Sequence, residues 1–166
     1  MLLPGDSDSA MSALIYVGTS IPSFYHEARL EPEHQVRRQW TREWWDLAME
    51  RDRLVTSAAV IAVFRLSPEP KRSDGLALLA PLQLLAMPVE VDDMTGAYIA
   101  HKVMPRDATG DARHLAVATF HRCDILVTWN CRHIANVNKQ THIRSINAAL
   151  GFPTPALVTP LELLET

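Results

Sequence analysis

The chain has 166 residues, of which 48% are hydrophobic and 21% charged, and its formal net charge is −3. These values predict a globular domain with a full core and exclude a disordered chain. They also exclude a membrane span, because no apolar run approaches the roughly 20 residues that a bilayer requires. The first residues lack the basic and apolar regions of a signal peptide. We expect residues 1–11 to form a flexible leader and residues 12–166 a single domain.

The two cysteines point to the cellular compartment. Cys123 and Cys131 flank a predicted apolar strand. At about 3.3 Å per residue they should lie roughly 20 Å apart, too far for a disulfide bond. Unpaired cysteines are typical of a reducing compartment, so we expect a cytoplasmic protein that does not associate with membranes.

Hydrophobic patterns predict strands that alternate with helices along the chain. The predicted strands are residues 14–17, 54–57, 87–91, 125–129 and 156–158. The predicted helices begin near Pro22, cover 33–51, 58–64, 73–85, 92–103, 111–122 and 139–150, and resume at Pro160. We expect Pro81 to kink or end the helix over 73–85 early. Such an alternation predicts an α/β sandwich around a mainly parallel sheet.

Capping residues and tryptophans refine this prediction. Ser57 is expected to cap the helix that follows it, and Thr159 with Glu162 has the spacing of a capping box. Three tryptophans recur in the helix over 33–51, namely Trp40, Trp44 and Trp45. We expect them in the core, with a dimer surface as the alternative.

Polar residues follow the predicted strands at one edge of the sheet. Functional groups gather at the carboxyl ends of strands in a doubly wound sheet. The groups expected there are Gly18-Thr19-Ser20, Ser57, Asp111 and Thr128-Trp129-Asn130. Hydroxyl, carboxylate and amide oxygens suit Mg²⁺ or Mn²⁺ better than zinc. The pattern predicts a divalent-cation site of the kind that directs water onto a phosphodiester.

Two of the residues near this edge also have simpler interpretations. Asp111 could be a helix N-terminal acid that stabilises the helix dipole by about 0.3–1 kcal/mol. His114 follows one turn later and could approach the cleft, although a hydrogen-bonded structural histidine is the favoured interpretation.

The segment from residue 125 to 161 contains no Asp or Glu. Its cationic or titratable residues are Arg132, His133, Lys139, His142 and Arg144. Such a segment could form a positive surface that binds RNA phosphates. The alternative is an ordinary solvent-exposed surface with few acids.

Three segments together resemble a known family. They are YVGTSIPSFY at 16–25, GDARHLA at 110–116 and LVTWNCRHI at 126–134. Their order and spacing resemble PIN domains, and most closely the bacterial VapC-type toxin ribonucleases, over about residues 14–164. The resemblance implies a PIN-like α/β/α sandwich and an endoribonuclease that depends on Mg²⁺ or Mn²⁺. It also implies a homodimer and inhibition by a small antitoxin-like protein.

The catalytic acids of the family transfer to this chain only in part. Asp111 matches the acid that opens a motif helix, which implies a catalytic metal ligand. Asn130 stands where many family members have Asp and is assigned a catalytic role by the same resemblance. The acid expected after the first strand is Gly18, and the acid expected in the helix after the second strand falls at Ala62 or Val63. Of the four expected positions, one carries a charge.

The missing acids leave three hypotheses. In the first, a ribonuclease uses a rearranged site in which Asp107, Thr19, Thr128 and Asn130 support Asp111. In the second, a catalytically silent PIN domain binds RNA or a partner protein. In the third, mutations at positions such as Gly18 and Ala62 abolished a former nuclease activity. Both latter hypotheses predict weak or no cleavage.

An unrelated alternative is a phosphate- or nucleotide-binding α/β protein. Thr19, Ser20 and a helix N-terminus would then form an anion-binding nest. The sequence contains neither a G-x-G-x-x-G nor a G-x-x-x-x-G-K-[ST] loop, which disfavours this alternative.

Overall fold

A computed structural model describes residues 12–101, 110–130 and 137–165 of the chain. Its strands are β1 (Leu14–Val17), β2 (Arg53–Ser57), β3 (Gln83–Leu85), β4 (Ile125–Val127) and β5 (Ala156–Val158). They form one all-parallel sheet in the order β3-β2-β1-β4-β5. The predicted α/β fold with a parallel sheet flanked by helices is confirmed, in the arrangement expected of a PIN-like sandwich. The predicted leader and Cys131 lie outside the described residues.

Helices connect and cover the strands. They are α1 (Ser20–Tyr25), α2 (Pro32–Arg51), α3 (Ala58–Arg65), α4 (Lys71–Leu79), α5 (Val89–Ala100), α6 (Asp111–Phe120), α7 (Val137–Leu150) and α8 (Pro160–Leu164). Helix α2 packs against α1 and α8, whereas α5 packs against α6 and also contacts α7. None of the helices in the described ranges is both long enough and apolar enough to span a bilayer.

The centre of the sheet is the most buried part of the fold. Tyr16 and Val17 of β1 and Leu126 and Val127 of β4 are fully shielded from solvent. The two strands pair in register, with Tyr16 opposite Leu126. Strands that are apolar on both faces need helices on both sides, which is the reason for the parallel topology. Trp44 and Trp45 join this core, as predicted, and Trp40 is half-buried beside them.

The third strand lies elsewhere than predicted. The sequence pattern favoured residues 87–91, but β3 is Gln83–Leu85 and Val89 already belongs to α5. Helix α4 ends at Leu79, two residues before Pro81, since proline has no amide hydrogen for a helix interior. Pro88 is the extended N-cap of α5, and Glu90 in the first turn favours a helix by its charge.

Helix α6 is buried on almost every side. Its N-cap residue has a left-handed backbone conformation that favours glycine. Gly110 has φ +80° at the N-cap, a conformation that disfavours residues with a side chain. Most α6 residues are shielded from solvent, including Ala112 and Ala116, and the helix packs against α5.

The two predicted caps have different outcomes. The Thr159 side chain accepts from the Glu162 amide, and the Glu162 carboxylate accepts from the Thr159 amide, so the capping box is confirmed. Ser57 occupies the N-cap of α3, but its side chain does not cap that helix. Its hydroxyl instead contacts the phenol of Tyr16.

Two helical glycines provide a matched test of the packing. A methyl group at Gly75 in α4 would overlap the buried Phe64 ring, whereas one at Gly96 in α5 would meet no atom within 4 Å. We expect Gly75→Ala to lower the free energy of unfolding by about 1–3 kcal/mol. Gly96→Ala should raise it by roughly 0.5–1 kcal/mol because alanine favours the helix. Urea denaturation measures both, and equal effects at the two positions would contradict the packing.

Candidate functional site

A small polar cleft lies at the carboxyl ends of β1 and β4. Its volume is about 90 Å³. Its lining residues are Gly18, Thr19 and Ser20 after β1, Leu126 of β4, Thr128 and Asn130 after β4, and Asp111 and His114 of α6. The structure thus brings together the three sequence segments that resemble the PIN family. This is the edge of a doubly wound sheet at which binding sites form.

Asp111 and Asn130 form a direct side-chain contact. The Asn130 Nδ2 donates to Asp111 Oδ2 over 2.5 Å, and Asp111 is 8% exposed. The amide nitrogen of Asn130 therefore faces the carboxylate. The amide would have to rotate before oxygens of both residues could ligate one cation. The contact stabilises a shielded carboxylate by a charge-assisted hydrogen bond.

The hydroxyls of the cleft fix the loop that follows β4. Ser20 Oγ accepts from the Trp129 amide at 2.8 Å and contacts Thr128 Oγ1 at 3.3 Å. Thr128 Oγ1 also accepts from the backbone amide of Asn130 at 2.9 Å. Thr19 is the N-cap of α1, and its side chain does not cap that helix. Ser20 and Thr128 thus hold Asn130 in place, which is a positioning role.

A buried chain of polar side chains runs beneath the cleft. The Tyr16 hydroxyl lies 2.7 Å from Ser57 Oγ and 3.1 Å from His114 Nδ1. Burial raises the pKa of Tyr16, so its phenol stays protonated. His114 Nε2 is shielded from solvent and has no hydrogen-bond partner among the described residues. The structural role favoured for His114 agrees with these contacts, but the sequence pattern alone did not reveal Tyr16 as its partner.

The other predicted site residues that the structure describes do not line the cleft. Ala62 is exposed on α3 and is not among the residues that line the cleft. Lys139 and Arg144 belong to α7, where Arg144 is exposed. Asp107, Arg132 and His133 lie outside the described residues.

Gly18 lines the cleft and has room for a side chain. A Cβ atom at this position would meet its nearest neighbour, the Val127 carbonyl oxygen, at 3.6 Å, an ordinary contact. An acid could therefore occupy the position without displacing the backbone.

The described donors of the cleft alone do not make a typical Mg²⁺ or Mn²⁺ site. Asp111 is the sole carboxylate among the described lining residues, and its Oδ2 accepts from Asn130. No group of three or more His, Cys, Asp or Glu side chains with metal-ligand geometry occurs within residues 12–101, 110–130 and 137–165. Neutral hydroxyl and amide groups rarely displace the tightly held water of Mg²⁺.

Comparisons with known proteins leave the family open. No protein-family model matches the chain, and no curated protein matches it either.

His114 generates a pH prediction. Burial, followed by the charge of Arg113, lowers the pKa of His114 from 6.5 to about 4. The unfolded chain therefore binds a proton at a higher pH than the folded protein, so stability is lost as pH falls from about 6.5 towards 4. Between pH 7 and 5 we expect the free energy of unfolding to fall by about 2 kcal/mol more than in His114→Gln. Urea titrations at both values measure this difference, and identical pH dependence in the two proteins would contradict it.

Proposed function

We propose that this chain is a PIN-like RNA-binding domain related to VapC-type ribonucleases, with weak or no metal-dependent cleavage. The single observation that carries the proposal is the composition of the cleft. Its polar groups converge at the expected sheet edge, yet Asp111 is the one carboxylate among the described lining residues. Gly18 stands where the resemblance expects a second acid.

Strand order supports the relation to PIN domains. Segments 16–25, 110–116 and 126–134 are far apart in sequence, and the described parts of all three reach one cleft because β1 and β4 are neighbours. Any doubly wound sheet gathers its loops at this edge, so the support comes from the residues of the resemblance being the ones that line the cleft. The relation is therefore favoured by position as well as by residue type.

Electrostatics supports weak or absent catalysis. Metal-assisted attack on a phosphodiester needs cations that neutralise the developing charge and orient water. Several carboxylates normally hold those cations, and each one lost removes a full negative charge from the site. The hydrogen bond from Asn130 stabilises Asp111 but supplies no negative charge.

RNA binding is supported by the cationic residues outside the cleft. Residues 125–161 contain no acid, and α7 carries Lys139 and Arg144. Such residues bind the phosphate backbone without regard to sequence. A small phosphate ligand at a helix start is less well supported, since α1 has six residues and α6 begins with Asp111.

Restoring the acids should restore activity. We expect Gly18→Asp combined with Ala62→Glu to cleave labelled RNA in Mn²⁺ at least tenfold, about 1.4 kcal/mol, faster than the unaltered protein. The carboxylate added at position 18 lies in the cleft, and the longer side chain added at position 62 follows the family resemblance. Both positions accept a side chain because Gly18 has space and Ala62 is exposed. Gly18→Asn with Ala62→Gln is the matched control, which has nearly the same shape without the charge.

The same labelled RNA also reports binding through its fluorescence anisotropy. The proposal requires the unaltered protein to bind the RNA and leave it largely intact. Rapid Mn²⁺-dependent cleavage by the unaltered protein that Asp111→Asn abolishes would contradict the loss of catalysis. A failure to bind RNA at all would contradict the binding role.

A further inference from the structure

Aromatic rings and one arginine form a cluster beside the cleft. The arginine–aromatic cluster consists of Arg37, Phe24, Trp40 and Trp129. The Arg37 guanidinium carbon lies 5.6 Å from the Phe24 ring centre and 5.4 Å from that of Trp129. The Trp40 and Trp129 rings are stacked, with centres 6.2 Å apart and planes inclined by 24°.

Three separate elements assemble this cluster. Phe24 belongs to α1, Arg37 and Trp40 lie three residues apart on α2, and Trp129 follows β4. Residues three apart on a helix share a face, so Arg37 and Trp40 both reach the Trp129 ring. The Trp129 indole also donates to Thr41 Oγ1 at 2.8 Å, which fixes its ring. The Trp129 ring is therefore held in a fixed orientation beneath Arg37.

The guanidinium of Arg37 is the exposed part of the cluster. Arg37 is exposed, Trp129 is buried, and Phe24 and Trp40 are half-buried. Arg29 pairs with Glu27, and Arg42 donates to the Tyr25 carbonyl. In the described part of the chain, the Arg37 guanidinium forms no ion pair or hydrogen bond and contacts only the rings. Its donors remain available to a ligand.

The cluster is continuous with the cleft. Trp129 precedes Asn130, whose side-chain amide donates to Asp111. The backbone amide of Trp129 donates to the hydroxyl of Ser20. The backbone segment that carries Trp129 is therefore held by a residue that lines the cleft. Asp111 repels phosphate within the cleft, whereas the positive charge of Arg37 attracts an anion.

We propose that Arg37, supported by Phe24 and Trp129, is a stacking platform for a base of single-stranded RNA. This inference rests on the proposed RNA binding. A planar cation held over aromatic rings presents a flat surface on which a base stacks, and its N–H edge can donate to phosphate or to a base carbonyl. Bases of a duplex are already stacked on one another, so single-stranded RNA is the partner that this surface fits.

Paired probes separate stacking from charge. The first probe is a fluorescent single-stranded oligoadenylate about 12 nucleotides long, and the second is a sugar–phosphate oligomer of equal length without bases. Lysine keeps the positive charge at position 37 but loses the planar group. Arg65→Lys is the matched control, because Arg65 is exposed on α3, outside the cluster, and likewise forms no ion pair with the described residues.

The unaltered protein should bind the oligoadenylate at least about fivefold more tightly than the base-free oligomer. Arg37→Lys should lose this preference while it keeps its affinity for the base-free oligomer, and Arg65→Lys should behave as the unaltered protein. If Arg37→Lys retains the preference, or weakens both probes equally, the platform is overturned while RNA binding stands. If the unaltered protein binds neither probe, the platform and the proposed RNA binding both fail. A thermal melt of each variant verifies that it is folded.

Discussion

The parallel pairing of β1 with β4 is the constraint on which the rest of the cleft depends. Parallel pairing places Tyr16 opposite Leu126. The loops that follow these two adjacent strands therefore begin at the same edge of the sheet. This placement brings the residues after both strands to the cleft, namely Gly18, Ser20, Thr128 and Asn130. Helix α6 adds Asp111 and His114 at the same edge. A shift of one residue in this register would exchange the faces and disperse the polar groups.

Side-chain hydrogen bonds hold the cleft together. Asn130 donates to Asp111, Thr128 and Ser20 fix the loop, and Tyr16 connects Ser57 with His114. A buried polar network of this kind is stabilising when its members are paired, because unpaired groups would incur their full desolvation cost. The chain thus satisfies its lone described cleft carboxylate with an amide.

The sequence predicted what local chemistry determines. The strand predicted over 125–129 and found over 125–127, the helix that opens at Asp111 and the Thr159 capping box all follow from patterns within a few residues. Strand β3 was misplaced because only Leu85 of its three residues is buried, which leaves little alternation to read. Its position depends on pairing with β2.

Long-range contacts account for the parts of the site that the sequence could not predict. The hydroxyl of Ser57 forms a hydrogen bond with Tyr16 instead of capping its own helix. This bond depends on a strand residue 41 positions away in the sequence. The position of Arg37 over Trp129 likewise joins α2 to the end of β4. By contrast, the convergence of Asp111 and Asn130 was predictable, because the helix start and the strand end were both recognisable in the sequence.

Direct titration of the unaltered protein with Mn²⁺ tests the central claim, the loss of the acidic ligands. Manganese binding followed by electron paramagnetic resonance reports the affinity without any need for an RNA substrate. With one carboxylate in the described lining, we expect no saturable site tighter than about 1 mM, or about −4 kcal/mol. Stoichiometric binding at micromolar Mn²⁺ that Asp111→Asn abolishes would contradict this claim. It would instead support a metal-dependent nuclease.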